Sequence, residues 1–293
     1  MLIRKIKTSC LDVEFIEWNP SGRSSIILLH GWPDSFRTWF AIAPYLVEAG
    51  YRVLAPSLRG CSGTTFLSAE QPRSGQPGAL GRDLIEFALA LDLDRPVVVG
   101  HDWGARAVAA AVGLEESRFR AMVMISIGYA TNYPTARLSI EQAQLYWYHW
   151  FMNTPVGEVA LTEHRREFAR HMWLSWSPTG WFSDGEFYET SKAFDNEDWV
   201  EVVLHYYRYR WNLVVGDSRY EDDDLKLRQH PCVSIPGLIL HGAEDGVNPP
   251  SSSEGKEVYF RGPYLRLVID QVGHFPQREN PSLTAELILN FLC

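Results

Sequence analysis

Val97–Ala105 reads VVVGHDWGA: a β-branched run, a Gly-x-Asp-x-Gly turn, and the start of a helix built on small side chains. A strand that passes so abruptly into a helix crowds its neighbours. Only hydrogen at positions 100 and 104 lets the two elements pack. Asp102 stands at the apex of the turn. A carboxylate presented there can attack carbon and form an ester. Aspartate is also a common first residue of a helix, so this stretch alone leaves both roles open.

On either side of the elbow, apolar strand-like runs alternate with helical patterns. Ile3–Lys7 and Val13–Trp18 predict a hairpin. SSIILLH (Ser24–His30), YRVLAPS (Tyr51–Ser57), PVVVGH (Pro96–His101) and FRAMVMISI (Phe119–Ile127) predict buried strands. Helices are expected between them over Thr38–Ala49, Ala79–Leu91 and Trp103–Leu114, and a Gly/Pro/Ser-rich loop from Leu58 to about Gly78. This rhythm predicts a parallel sheet with right-handed crossovers. From about Tyr133 to His230 it stops. That segment predicts helix and holds 7 of the 11 Trp and 8 of the 13 Tyr. Its acidic run Glu221–Asp224 reads as a solvated turn or helix start. The sheet rhythm resumes with PGLILHG (Pro236–Gly242), a helix, YLRLVI (Tyr264–Ile269) and a last helix over Pro281–Leu292. The expected organisation is an α/β core made of 1–131 and 232–293, with a helical cap, 132–231, inserted between its parts.

Open α/β sheets bind ligands at the carboxyl ends of their strands. In LHGAEDGVNPP, Asp245 falls on the loop after the strand Leu238–His241, and in IDQVGHFPQRENP, His274 falls on the loop after Leu265–Ile269. A turn aspartate or a buried histidine explains either residue taken alone. With Asp102 they stand in the order nucleophile, acid, histidine, which is that of a catalytic triad on this type of sheet. In LLHGWPDSFRTW (Leu28–Trp39), a His-Gly-x-Pro turn follows the third strand. This turn resembles the oxyanion loop of the fold that carries such triads, a resemblance that implies that the backbone N–H groups of Trp32 and Trp103 face a developing oxyanion. His30 and His101 end buried strands beside tight turns and read as structural. His149, His164, His171 and His205 lack the HExxH spacing of a zinc site.

The 293 residues are 46% hydrophobic and 22% charged, which excludes a disordered chain. Lys plus Arg total 27 and Asp plus Glu 36, a net charge of 27 − 36 = −9 that argues against a nucleic-acid partner. No apolar run reaches the roughly 18 residues of a bilayer span, and no membrane association is expected. The start, MLIRKIKTSCLDVEF, lacks the apolar core of a secretory signal. Cys10, Cys61, Cys232 and Cys293 stand far apart, which fits reduced thiols and a cytoplasmic protein. Without GxxxxGK or GxGxxG motifs, no nucleotide cofactor is expected, and no metal. Aromatic residues in the cap suit a small apolar substrate, although a small helical cap needs them for its own packing too. The sequence carries no signal for an oligomeric state.

HGWP, GHDWGAR, AEDGVNPP and VGHF together resemble the α/β-hydrolase superfamily across 1–131 and 232–293. More narrowly they resemble its aspartate-nucleophile branch: epoxide hydrolases, haloalkane dehalogenases and haloacetate dehalogenases. The resemblance implies a mostly parallel eight-stranded sheet flanked by helices, with an inserted helical cap. Epoxide hydrolases carry two cap tyrosines that protonate the leaving alkoxide, a task suited to a phenol of pKa about 10. HYYRYRW places Tyr207 at one of these positions. YHWFMNTP resembles the stretch that carries the other, with Tyr148 seven residues before Pro155 and Tyr146 close by. Cap packing is the alternative role for both.

Haloacetate dehalogenases place an arginine where Trp103 stands, although Arg106 matches their second arginine. Haloalkane dehalogenases use a tryptophan there to hold halide, but many carry Asn or Glu where this chain has Trp32. The resemblance therefore implies cofactor-independent epoxide hydrolysis, with Asp102 as nucleophile, Tyr207 and Tyr148 as acids, and His274 as base oriented by Asp245. A dehalogenase using the same triad is the alternative. A non-catalytic receptor, using the capped pocket only to bind, is a more remote one.

Overall fold

The computed structural model describes residues 1–131 and 138–293. Its strands are β1 (Leu2–Lys7), β2 (Leu11–Trp18), β3 (Ser24–Leu29), β4 (Tyr51–Pro56), β5 (Thr65–Phe66), β6 (Val97–His101), β7 (Ala121–Ile125), β8 (Gly237–Gly242) and β9 (Tyr264–Ile269). They form one sheet in the order β1-β2-β4-β3-β6-β7-β8-β9. β1 and β2 are antiparallel to their neighbours, and the sheet is parallel from β4 to β9. The eight expected strands make this path. β5 is a ninth, pairing Thr65 and Phe66 with Asp12 and Leu11 of β2. It has only two residues inside the Gly/Pro/Ser-rich loop, and its pairing is set by a strand far away in the chain, so no local pattern announces it.

Helices α1 (Ala43–Glu48), α2 (Pro77–Ala90) and α3 (Trp103–Glu115) connect the first strands. Between β7 and β8 the described residues hold seven α-helices and no strand. These are α4 (Ile140–Leu145), α5 (Trp147–Phe151), α6 (Pro155–Glu163), α7 (Arg165–Trp176), α8 (Asp184–Ser191), α9 (Trp199–Arg210) and α10 (Glu221–Leu227). The expected start of the cap at 132 falls within 132–137, outside the described residues. α11 (Pro276–Glu279) and α12 (Pro281–Leu292) close the chain.

The inner strands are apolar on both faces because both are covered. Ile26 and Leu28 of β3 point to one side, where they pack with Trp39, α1 and α12; Ile27 and Leu29 point to the other, among residues of α2 and α3. The same alternation runs through Val97, Val98 and Val99 of β6. No helix among the described residues is long and apolar enough to cross a membrane.

Three local expectations are corrected. The segment between β8 and β9 forms two 3-10 turns, Pro250–Ser253 and Lys256–Tyr259, and no α-helix. Pro250 holds the residue before it, Pro249, extended (φ −60°, ψ 147°), and Gly255 in the left-handed region (φ 67°) separates the two turns. Residues 38–49 form a shorter helix, α1, after a separate 3-10 turn at Phe36–Trp39. Glu221–Asp224 does start a helix, and negative charge suits a helix N-terminus. Asp224, however, is buried rather than solvated. It accepts hydrogen bonds from Gly78 N–H (2.7 Å), Gln76 Nε2 (2.8 Å) and the Tyr209 hydroxyl (2.6 Å), tying α9 and α10 to the start of α2.

Candidate active site

β6 ends at His101 and α3 begins at Trp103, so the reversal falls on Asp102 alone, with φ 49° and ψ −115°. This is a conformation that L-residues rarely hold, and neighbours must impose it. The two glycines allow it. A Cβ on Gly100 would lie 2.2 Å from the Gly104 carbonyl oxygen, and one on Gly104 would lie 2.2 Å from that of Leu29. β6 continues its pairing one step further, for Asp102 N–H donates to the Ile125 carbonyl at 3.2 Å. The carboxylate is thereby held at the carboxyl edge of the sheet.

The loops after β3, β8 and β9 meet it there. Trp32 N–H donates to Asp102 Oδ1 at 3.0 Å. His274 Nδ1 donates to Asp245 Oδ2 at 2.8 Å, and Asp245 Oδ1 accepts from the N–H groups of Val247 (2.9 Å) and Asn248 (2.8 Å). With Nδ1 committed, the other ring nitrogen faces the elbow: His274 Nε2 lies 3.8 Å from Asp102 Oδ2, beyond hydrogen-bond reach. All three residues are buried. Burial opposes charge on His274, but Asp245 and then Asp102 outweigh it and push the imidazole up to about 10. Burial opposes charge on Asp245 as well, and His274 with His241 holds that carboxyl well below the usual range. Asp102 is likewise lowered despite burial, chiefly by His274, with smaller help from His101 and Arg106.

The histidines that end β3 and β6 serve the scaffold. His30 Nε2 accepts from Leu58 N–H (3.1 Å) while its Nδ1 donates to the Gly31 carbonyl (2.9 Å). His101 Nε2 donates to the His274 carbonyl at 2.7 Å. Burial, helped by neighbouring His274, takes His101 down to about 4.

The helical segment supplies the opposite wall. Tyr207 lies on α9, and its hydroxyl accepts a hydrogen bond from Trp103 Nε1 at 3.0 Å. Tyr148, on α5, stacks on the Trp32 indole with centroids 5.8 Å apart and meets the Tyr207 ring edge-on at 5.4 Å. Burial raises both phenols well above 10; the Asp102 charge adds to this for both, and Tyr207 adds to it for Tyr148. Tyr146 is engaged elsewhere, donating its hydroxyl to Asn248 Oδ1 at 2.7 Å on the Asp245 loop. The structure thus gathers Asp102, Asp245, His274, Trp32, Trp103, Tyr148 and Tyr207 around one centre. It also adds Trp176, whose ring contacts those of His274 (5.1 Å) and Tyr148 (5.2 Å). No motif marks Trp176; it is one of several tryptophans in an aromatic helical stretch. A separate cavity of about 120 Å³ lies behind Trp103, where Arg106, Tyr206 and Arg210 line it; Asp102, His274 and the two phenols do not.

Over residues 25–281 the sequence matches the α/β-hydrolase fold family. The chain belongs to that family. Within it, this α/β-hydrolase is most like proteins named epoxide hydrolases. Epoxide hydrolase A of Mycobacterium tuberculosis is 26% identical over 99% of this chain and 96% of its own length. Epoxide hydrolase 4 of Mus musculus is 24% identical over 98% of this chain and 78% of its own. A crystal structure from Klebsiella pneumoniae, provisionally assigned as an epoxide hydrolase, is 32% identical with a TM-score of 0.94, covering 99% of this chain and 96% of that one.

Proposed function

We propose that this α/β-hydrolase opens epoxides to vicinal diols through a covalent ester on Asp102. The observation that carries the reading is the hydrogen bond from Trp103 Nε1 to the Tyr207 oxygen. A phenol that accepts from an indole has its own proton left to donate. A second phenol, Tyr148, stands beside it, and both feel the Asp102 charge. Two buried acids opposite a carboxylate nucleophile suit a substrate whose leaving oxygen stays attached to carbon and must be protonated.

Asp102 Oδ1 already accepts from Trp32 N–H, so Oδ2 attacks. A C–O bond forms to the epoxide carbon, the ring C–O bond breaks, and its oxygen takes the proton of Tyr207 with Tyr148 in support. Attack also converts the Asp102 carboxylate to a neutral ester. Burial still raises both phenols, but the added contribution of the Asp102 charge disappears as the proton is needed, which couples attack to donation. The same loss lowers His274, because Asp102 contributes to its elevation. The imidazolium passes its proton to the phenolate left on Tyr207, the neutral imidazole takes a proton from water, and the hydroxide adds to the ester carbonyl. The N–H groups of Trp32 and Trp103 hold the oxyanion. Collapse expels the alkoxide, which takes the proton of the nascent Asp102 carboxyl to give the diol and restore the carboxylate, while His274 keeps the proton taken from water and returns to its charged resting state.

A dehalogenase would use the Trp103 indole to hold halide, but that N–H is directed at Tyr207. The test is product analysis on purified protein with a terminal epoxide, a haloalkane and haloacetate. The expected result is diol from the epoxide and no halide release. Halide release without diol would favour the dehalogenase, and binding without turnover would favour the receptor.

A further inference from the structure

His274 and Asp245 sit on separate loops, and a catalytic pair must hold its geometry to within about 0.5 Å. The end of α7 reaches both loops. The Trp176 carbonyl accepts from Gly246 N–H (3.0 Å), next to Asp245, and from His274 N–H (3.1 Å). The Ser177 hydroxyl accepts from His274 N–H at 2.8 Å and donates a hydrogen bond to Glu279 Oε1 at 2.6 Å. Glu279 also accepts from Gly273 N–H (2.7 Å) and Phe275 N–H (2.8 Å). Three consecutive N–H groups, 273 to 275, are therefore tied to the end of α7 or to the carboxylate fastened to it. Both loops are shaped for this approach. A Cβ on Gly246 would lie 2.5 Å from the Ser175 carbonyl oxygen, and one on Gly273 would lie 2.4 Å from Ser177 Oγ.

We propose that the end of α7, fastened by Glu279, is the positioning device for the Asp245–His274 pair. The helical segment then sets the geometry of the base as well as supplying the acids. Glu279 is a positioning residue, acting through the backbone on either side of His274. This inference rests on the two-step reading above and predicts that the steps separate. Ester formation uses Asp102 and the phenols, whereas ester hydrolysis needs His274.

Glu279→Gln keeps the size of the side chain but turns one acceptor oxygen into an NH₂ group facing N–H donors. In a rapid-quench single turnover with a terminal epoxide, ester decay is expected to slow by about 10–100-fold, as for a displacement approaching 1 Å, with ester formation within about threefold of the parent. The proton on His274 Nδ1, observed directly by NMR without substrate, is expected to shift or broaden. Ser177→Ala, which leaves both backbone bonds to Glu279, is expected to act in the same direction but less, and it carries the test if Glu279→Gln does not fold. Equal slowing of both steps, or of neither, with an unmoved Nδ1 proton would overturn the proposal. A parent that forms no ester would count against the epoxide reading alone, while the NMR comparison still decides the positioning role.

Discussion

Replacing Tyr207 by Phe deletes one hydroxyl and leaves a ring that packs against Trp32 (5.3 Å), Trp103 (5.4 Å) and Tyr148 (5.4 Å). Two effects follow. Trp103 Nε1–H loses its acceptor in a buried site, which costs about 1–3 kcal/mol of stability. At roughly 2–4 °C per kcal/mol, the melting temperature falls by several degrees and the fold survives. The chemical effect is larger. One general acid contributes about 10²–10⁴ in rate, or about 3–5 kcal/mol at 1.36 kcal/mol per decade. Tyr148 remains, so the loss should lie near the lower end of that range. It should appear in ester formation, because hydrolysis of a preformed ester does not require the phenol to donate. Rapid-quench kinetics on a terminal epoxide resolves the two steps, and circular dichroism reports the fold. A folded variant that forms the ester at the parental rate would show Tyr207 to be packing and remove the main support for epoxide opening.

Two further outcomes are expected. Tyr148→Phe should slow ester formation, while Tyr146→Phe, whose hydroxyl is spent on Asn248, should leave it within a few-fold of the parent; the reverse order in the same assay would exchange their assignments. His274 is raised from an ordinary 6.5 to about 10, so its contribution to stability is complete below about 6.5 and is lost as pH rises through about 10. Melting temperature should decline across that window and decline less in His274→Ala; an equal slope in both proteins would contradict the charged pair.

The elbow was legible in VVVGHDWGA because its glycines are a steric necessity: the backbone oxygens of Leu29 and Gly104 leave no room for a Cβ. The inner strands themselves followed from apolar runs, since only strands covered on both faces read that way, whereas their order came from the structure. Asp245 and His274 were visible because loops at the carboxyl edge of such a sheet converge on one point. What escaped depends on partners distant in the chain. β5 exists through β2, and Asp224 is buried because α2 offers it two donors. Glu279 and Ser177, 102 residues apart, show no spacing that links them. Tyr146 and Tyr148 differ in surroundings, the first donating its hydroxyl to Asn248 on the Asp245 loop and the second stacking its ring on Trp32, and an aromatic run carries no record of that.

The covalent ester is the central claim, and His274→Ala tests it most directly. Asp102 and both phenols remain, so attack proceeds, but no base is left to activate water and the ester should accumulate. Incubated with a terminal epoxide, the intact protein should gain the whole mass of the substrate, because ring opening loses no atom. A haloalkane or haloacid adduct would be lighter than protein plus substrate by HX. Peptide mapping should place the label on the fragment containing Asp102. A folded variant with no adduct from the epoxide, or with the label on another residue, would contradict the account.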